Sequence, residues 1–102
     1  MIPYHIIPAA EADLREIARY TRRQWGEVQA RRYARTLASC FQKIAAGEVV
    51  QRSFSDHFPD LLASRCEHHF IFYLLPEGQK PQMIAVLHEC MDLISGFRNR
   101  LS

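Results

Sequence analysis

Apolar residues are densest between Leu62 and Asp92. The run His69-Phe70-Ile71-Phe72-Tyr73-Leu74-Leu75 is followed by the breaker cluster Pro76-Glu77-Gly78-Gln79-Lys80-Pro81, then by Met83-Ile84-Ala85-Val86-Leu87-His88. Two β-type runs around a Pro/Gly turn predict an antiparallel hairpin. Strand alternation places Phe70, Phe72 and Leu74 on one face and His69, Ile71 and Tyr73 on the other. By the same rule Ile84, Val86 and His88 share a face opposite Met83, Ala85 and Leu87. Both faces are largely apolar, so each needs cover, one from helices and the other from a terminal segment or a partner chain.

Upstream the period lengthens. Ile2 to Ile7 reads as a short strand. Pro8 suits a first helical turn, where its missing N–H costs nothing, and Glu11 and Asp13 complement the positive end of that helix. Ala10, Leu14, Ile17, Ala18, Thr21 and Trp25 form one buried stripe at helical spacing, ended by Gly26 as a left-handed cap. A second helix carries Ala30, Tyr33, Ala34, Leu37, Phe41, Ile44 and Ala45 and stops at Gly47. So short a connection makes an antiparallel αα-hairpin. Trp25, Tyr33, Leu37 and Phe41 are expected to pack it against the sheet. Residues 48–60 are the least regular, with a turn suggested at Ser53-Phe54-Ser55-Asp56 and a strand at Leu61 to Cys66. After Asp92, Leu93, Ile94, Phe97 and Leu101 allow a short terminal helix, weakened by Gly96. The expected architecture is α+β: an N-terminal strand, a helical hairpin, then an antiparallel sheet.

The chain of 102 residues is expected to be one domain spanning residues 1–102. With 48% hydrophobic and 24% charged residues, it matches an ordinary soluble globular chain rather than a disordered or membrane-spanning one. No basic stretch precedes an apolar block at Met1-Ile2-Pro3-Tyr4-His5, so no signal peptide is expected. Cys40, Cys66 and Cys90 lack metal-ligand spacing and read as buried, reduced thiols of a cytoplasmic protein.

A net charge of +2 is too small to argue for nucleic acid. Its distribution is uneven: residues 9–46 hold eight basic against four acidic residues, and residues 47–102 five against seven. The excess is nearly all arginine, the side chain suited to carboxylates and phosphates. Arg15, Arg19, Arg22, Arg31 and Arg35 lie off the apolar stripes. They form either a solvated, salt-bridged helix face or a surface for an acidic partner.

Catalytic chemistry is sparse. Adjacent His68 and His69 face opposite sides of a strand and cannot share a metal there, so no metal and no cofactor are expected. A nuclease reading would combine Arg65, His69 and His88 with Glu89, histidine as acid or base and Arg65 stabilising phosphorane-like charge. No serine or cysteine nucleophile has a recognisable base beside it, and no Gly-rich phosphate loop occurs.

Several stretches taken together resemble a known family. They are Ala9-Ala10-Glu11-Ala12-Asp13-Leu14-Arg15-Glu16-Ile17, Tyr20-Thr21, Trp25-Gly26-Glu27-Val28-Gln29-Ala30 with Tyr33, His69-Phe70-Ile71-Phe72-Tyr73, and Val86-Leu87-His88-Glu89-Cys90-Met91-Asp92. In this order and at this length they resemble ParE-type toxins of the RelE/ParE superfamily of bacterial toxin–antitoxin systems. Relatives usually carry basic residues at the positions of Ala85 and Cys90, and Gly and Arg where Glu67 and His68 stand here. The resemblance implies a cytoplasmic toxin neutralised by a cognate antitoxin and aimed at DNA gyrase. It implies no membrane association and no sequence-specific DNA binding by the toxin alone. Under that reading there are no catalytic residues, and the partner-binding candidates are Arg15, Arg19, Arg22, Arg31, Arg35, Tyr73, His88, Met91 and Asp92. The alternatives are a ribosome-dependent mRNA endonuclease of the RelE class using Arg65, His69 and His88, and a degenerate toxin that only binds antitoxin.

Overall fold

The computed structural model describes residues 2–56 and 58–88. The order is β1 (His5–Ile6), α1 (Pro8–Trp25), α2 (Glu27–Ala45), β2 (Ser53–Ser55), β3 (Phe58–Cys66), β4 (His69–Leu74) and β5 (Gln82–His88). One sheet holds all five strands in the order β1-β5-β4-β3-β2. Every pairing is antiparallel except β1 with β5, which is parallel. The expected C-terminal helix lies outside the described residues.

Helix α1 starts at Pro8 and ends at Trp25, where periodicity and breakers place its ends. Gly26, at φ 93° and ψ 171°, is the whole connection to α2. This is an extended positive-φ conformation, essentially reserved for glycine, rather than the left-handed cap expected from sequence; one residue must reverse the chain. Helix α2 closes in a Schellman motif: Gly47 N–H donates to Ile44 O and Glu48 N–H to Lys43 O.

The sheet differs from the sequence reading in four places. The first strand shrinks to two residues, between Pro3 and Pro8, held by His5 N–H donating to Pro81 O. Ser53–Ser55 is a strand rather than a turn, pairing with a β3 that begins at Phe58 instead of Leu61. Pro59 falls in the irregular stretch between the Ser53–Leu62 and Ser55–Phe58 pairs, where the β2–β3 ladder is interrupted and a missing N–H is tolerated. Finally, Phe72 pairs with Ala85 and Tyr73 with Met83, leaving Ile84 as an extra residue on β5. This β-bulge reverses the alternation beyond it. Met83 therefore joins Val86 on the helix face, and Ile84 joins Ala85 and Leu87 on the opposite face.

Each face builds its own core. On one, Leu37, Phe41 and Ile44 of α2 pack on Cys66, Ile71, Tyr73, Met83 and Val86. On the other, Leu61, Phe72, Ile84, Ala85 and Leu87 form a cluster joined by Phe54, Phe58 and Phe70, with Phe54 edge-on to Phe72 at 5.0 Å. Leu37 and Phe41 are each 3% exposed, and Tyr33 is half-buried. Trp25, by contrast, is 72% exposed. It is the last residue of α1, at the hairpin tip, and not part of the core.

Asp13 joins α1 to the sheet. Its Oδ2 accepts the Val86 N–H at 3.0 Å. Strand β1 stops pairing with β5 at Ile6 and Met83, so the carboxylate serves a backbone donor that the short strand no longer reaches.

Candidate functional site

The three residues of the nuclease reading do not converge. His69 and His88 are register partners on β4 and β5, with rings edge-to-face at 5.2 Å. Tyr33 on α2 completes this cluster through a 2.6 Å hydrogen bond between its hydroxyl and His69 Nδ1. Cys66 pairs with His69 and Arg65 with Phe70, so alternation sends Arg65 to the opposite face from both histidines. There its guanidinium lies 5.9 Å from the Phe70 ring centroid, and its Nε donates to Glu67 O. A scissile phosphate held between His69 and His88 would find the sheet between itself and Arg65. Glu89 lies outside the described residues. Among the described residues, no three His, Cys, Asp or Glu side chains are grouped to hold a metal.

The helix arginines divide into two sets. Arg19 pairs with Glu16. Arg22 and Arg31 both meet Glu27, at 2.7 and 3.3 Å. The hydrogen bond from Arg22, followed by its charge and that of Arg31, holds the Glu27 carboxyl below its usual range. These three form a salt-bridged face, in which the Arg22–Glu27 pair straps α2's first turn to α1. Arg15 and Arg35 are exposed, with no ion pair among the described residues. Tyr73 is fully buried, so it offers no surface to a partner in this conformation; burial pushes its phenol pKa up. His88 is exposed at the end of β5. Met91 and Asp92 lie outside the described residues.

Three surface features escape a linear reading. The hairpin tip exposes Tyr20, Trp25 and Val28 at 62%, 72% and 73%, beside Arg22 and Arg23. An apolar groove of about 230 Å³ runs between α1, α2 and β1, lined among others by Tyr4, Leu14, Ile17, Tyr33 and Leu37. A second, basic groove of about 450 Å³ is lined by Arg32, Arg35 and Lys43 of α2 and by Arg65 and Glu67. Its one sequence signal is the recurrence of 32, 36, 39 and 43 along one helical face. Cys40 and Cys66 also line it, and they form a disulfide with Cα atoms 6.4 Å apart. This overturns the expectation of reduced thiols at these positions. The cysteines are 26 residues apart in sequence and meet only because α2 docks beside the end of β3. Cys90 lies outside the described residues.

The described residues form a small five-stranded sheet with an αα-hairpin packed on one face, an α+β fold. The comparisons place it more narrowly. Residues 4–93 match the model of the ParE toxin of the type II toxin–antitoxin system parDE. The chain is 46% identical to Toxin ParE of Escherichia coli over 99% of its own length and 98% of the relative's. It is 31% identical to Toxin ParE1 of Mycobacterium tuberculosis over 88% and 92% of the two chains. It is 30% identical to Toxin ParE1 of Caulobacter vibrioides over 90% and 94%. A solved structure described as the chromosomal ParDE TA system from P. aeruginosa superposes with a TM-score of 0.72 at 16% identity, covering 86% of this chain and 96% of that one. The chain belongs to the ParE toxin family of type II toxin–antitoxin systems.

Proposed function

We propose that this toxin acts by binding DNA gyrase and does not cut RNA, and that a cognate antitoxin neutralises it in the cytoplasm. The observation that carries the non-enzymatic reading is the placement of Arg65 on the sheet face opposite His69 and His88. A ribonuclease needs its cation and its acid–base groups around one phosphate. Ala85, where relatives usually carry a basic residue, is fully buried in the second core and adds no charge. Binding requires only a surface, and the tip formed by Tyr20, Trp25 and Val28 has the aromatic character of interface centres with arginines beside it. The apolar groove between the helices and β1 suits a segment of the antitoxin, whose apolar side chains would fill it. No helix among the described residues is long and apolar enough to cross a membrane.

Two assays test the reading. Purified toxin titrated into a gyrase supercoiling reaction should inhibit it or trap cleaved DNA. Primer extension on ribosome-bound message should show intact RNA. Ribosome-dependent cuts that vanish in His88→Ala, with gyrase unaffected, would establish the RelE-class alternative instead. Antitoxin binding with neither assay responding would leave only the degenerate-toxin reading.

A further inference from the structure

We propose that the Cys40–Cys66 disulfide is an exchange site for an anionic low-molecular-weight thiol of the glutathione class, seated in the basic groove and attacking Cys40. The proposal is independent of the gyrase reading.

The two cysteines are unequally exposed. Cys66 is 2% exposed within the helix-side core, whereas Cys40 is only partly buried. Both residues line the groove, with Arg32, Arg35 and Lys43 of α2 supplying its cations and Glu67 its lone carboxylate among the lining residues. A thiol of net negative charge is drawn toward such a cleft, where cations of one sign raise the local concentration of the opposite charge. The volume of about 450 Å³ falls in the range of small-ligand sites.

The step balances without an external oxidant. The incoming thiolate sulfur bonds to Cys40 Sγ as the Cys40–Cys66 bond breaks, and the bonding pair leaves on Cys66 Sγ. That thiolate takes a proton from solvent. The Thr36 carbonyl oxygen lies 3.7 Å from Cys66 Sγ, in place to accept the new S–H. The products are a mixed disulfide at Cys40 and a buried thiol at Cys66. A covalent tie between α2 and β3 is lost. In a cytoplasm, where thiols keep most cysteines reduced, the state of this tie then follows the thiol pool.

The test uses the full chain carrying Cys90→Ser, so that only these two cysteines react. The oxidised protein is treated with glutathione or with cationic cysteamine at equal thiolate concentration, and opening is followed by mass spectrometry of acid-quenched samples. Glutathione should open the disulfide about tenfold faster. The advantage should shrink with added salt and disappear in Arg35→Gln/Lys43→Gln. Peptide mapping should place the adduct on Cys40. In a Cys66→Ser variant, oxidised glutathione should label Cys40 faster than cystamine does. Equal or faster opening by cysteamine, an adduct on Cys66, a preference surviving the double substitution, or purified protein in which Cys40 and Cys66 do not pair would each overturn the proposal. The first comparison needs no cysteine change beyond Cys90→Ser, so it stands even if Cys66→Ser fails to fold.

Discussion

The Tyr33 hydroxyl on α2 and His69 Nδ1 on β4 share a 2.6 Å hydrogen bond across 36 residues of sequence. It is one polar link between hairpin and sheet, beside the Asp13–Val86 hydrogen bond and the Cys40–Cys66 disulfide. The bond is part-buried, so Tyr33→Phe should lower unfolding free energy by about 0.5–1.5 kcal/mol, read as a lower urea midpoint at unchanged slope. An unchanged midpoint would show that the bond contributes nothing.

Asp13 tests whether a side chain really replaces a strand. Val86 is 2% exposed, so Asp13→Ala strands a buried N–H and should cost about 1–3 kcal/mol. Asp13→Asn keeps an oxygen acceptor and should cost clearly less. Equal losses would mean that the carboxylate charge, not the hydrogen bond, matters.

Leu37 and Trp25 should separate stability from binding. Leu37→Ala empties a core site and should cost about 2–5 kcal/mol. Trp25→Ala removes an exposed side chain and should change stability by no more than about 0.5 kcal/mol. With the tip as the gyrase-binding surface, the same substitution should raise the toxin concentration needed to inhibit supercoiling by about tenfold or more. Full inhibition by Trp25→Ala would move the binding surface elsewhere.

Two backbone positions should respond in opposite directions. Gly26→Ala meets no neighbour within 4 Å, yet it forces a Cβ into a region reserved for glycine and should cost about 1–3 kcal/mol. Glu67 sits at φ 56° in the two-residue β3–β4 turn, a conformation costing a non-glycine residue roughly 1–2 kcal/mol. Glu67→Gly relieves that, less the entropy glycine loses on folding, and should stabilise by up to about 1 kcal/mol. Thermal melts of both variants decide it.

Glu27 gives the helical hairpin a pH dependence with a definite sign. Its pKa is lowered in the folded state, first by the Arg22 hydrogen bond. The stabilisation is therefore present above the ordinary carboxylate value of 4.5 and lost as the pH falls through the folded value. Glu27→Gln should melt slightly below the parent at neutral pH, with the gap closing in acid. A gap that persists or widens in acid would contradict this.

The sequence by itself determined the local geometry: where the helices begin and end, that a hairpin of two apolar strands follows, and that its two faces both need cover. Pro8, Gly26 and Gly47 act on their own backbone, and a 3.6-residue or two-residue period is a property of one segment, so both are legible in a line of residues. The matched stretches from Ala9 to Asp92 also carried the family. Tertiary structure decided whatever depends on two segments meeting. The bulge at Ile84 comes from register against Tyr73, and it moved Met83 to the helix face. The parallel pairing of β1 with β5 joins strands separated by the whole helical hairpin. Cys40 and Cys66 read alone as thiols, and docking of α2 beside β3 made them a pair. Trp25 continued an apolar stripe, but at the last position of α1 the tertiary structure leaves it 72% exposed. Arg65 is a plausible phosphate ligand by type; the parity of its position on β3, fixed only once Cys66 was opposite His69, turned it away from the histidines.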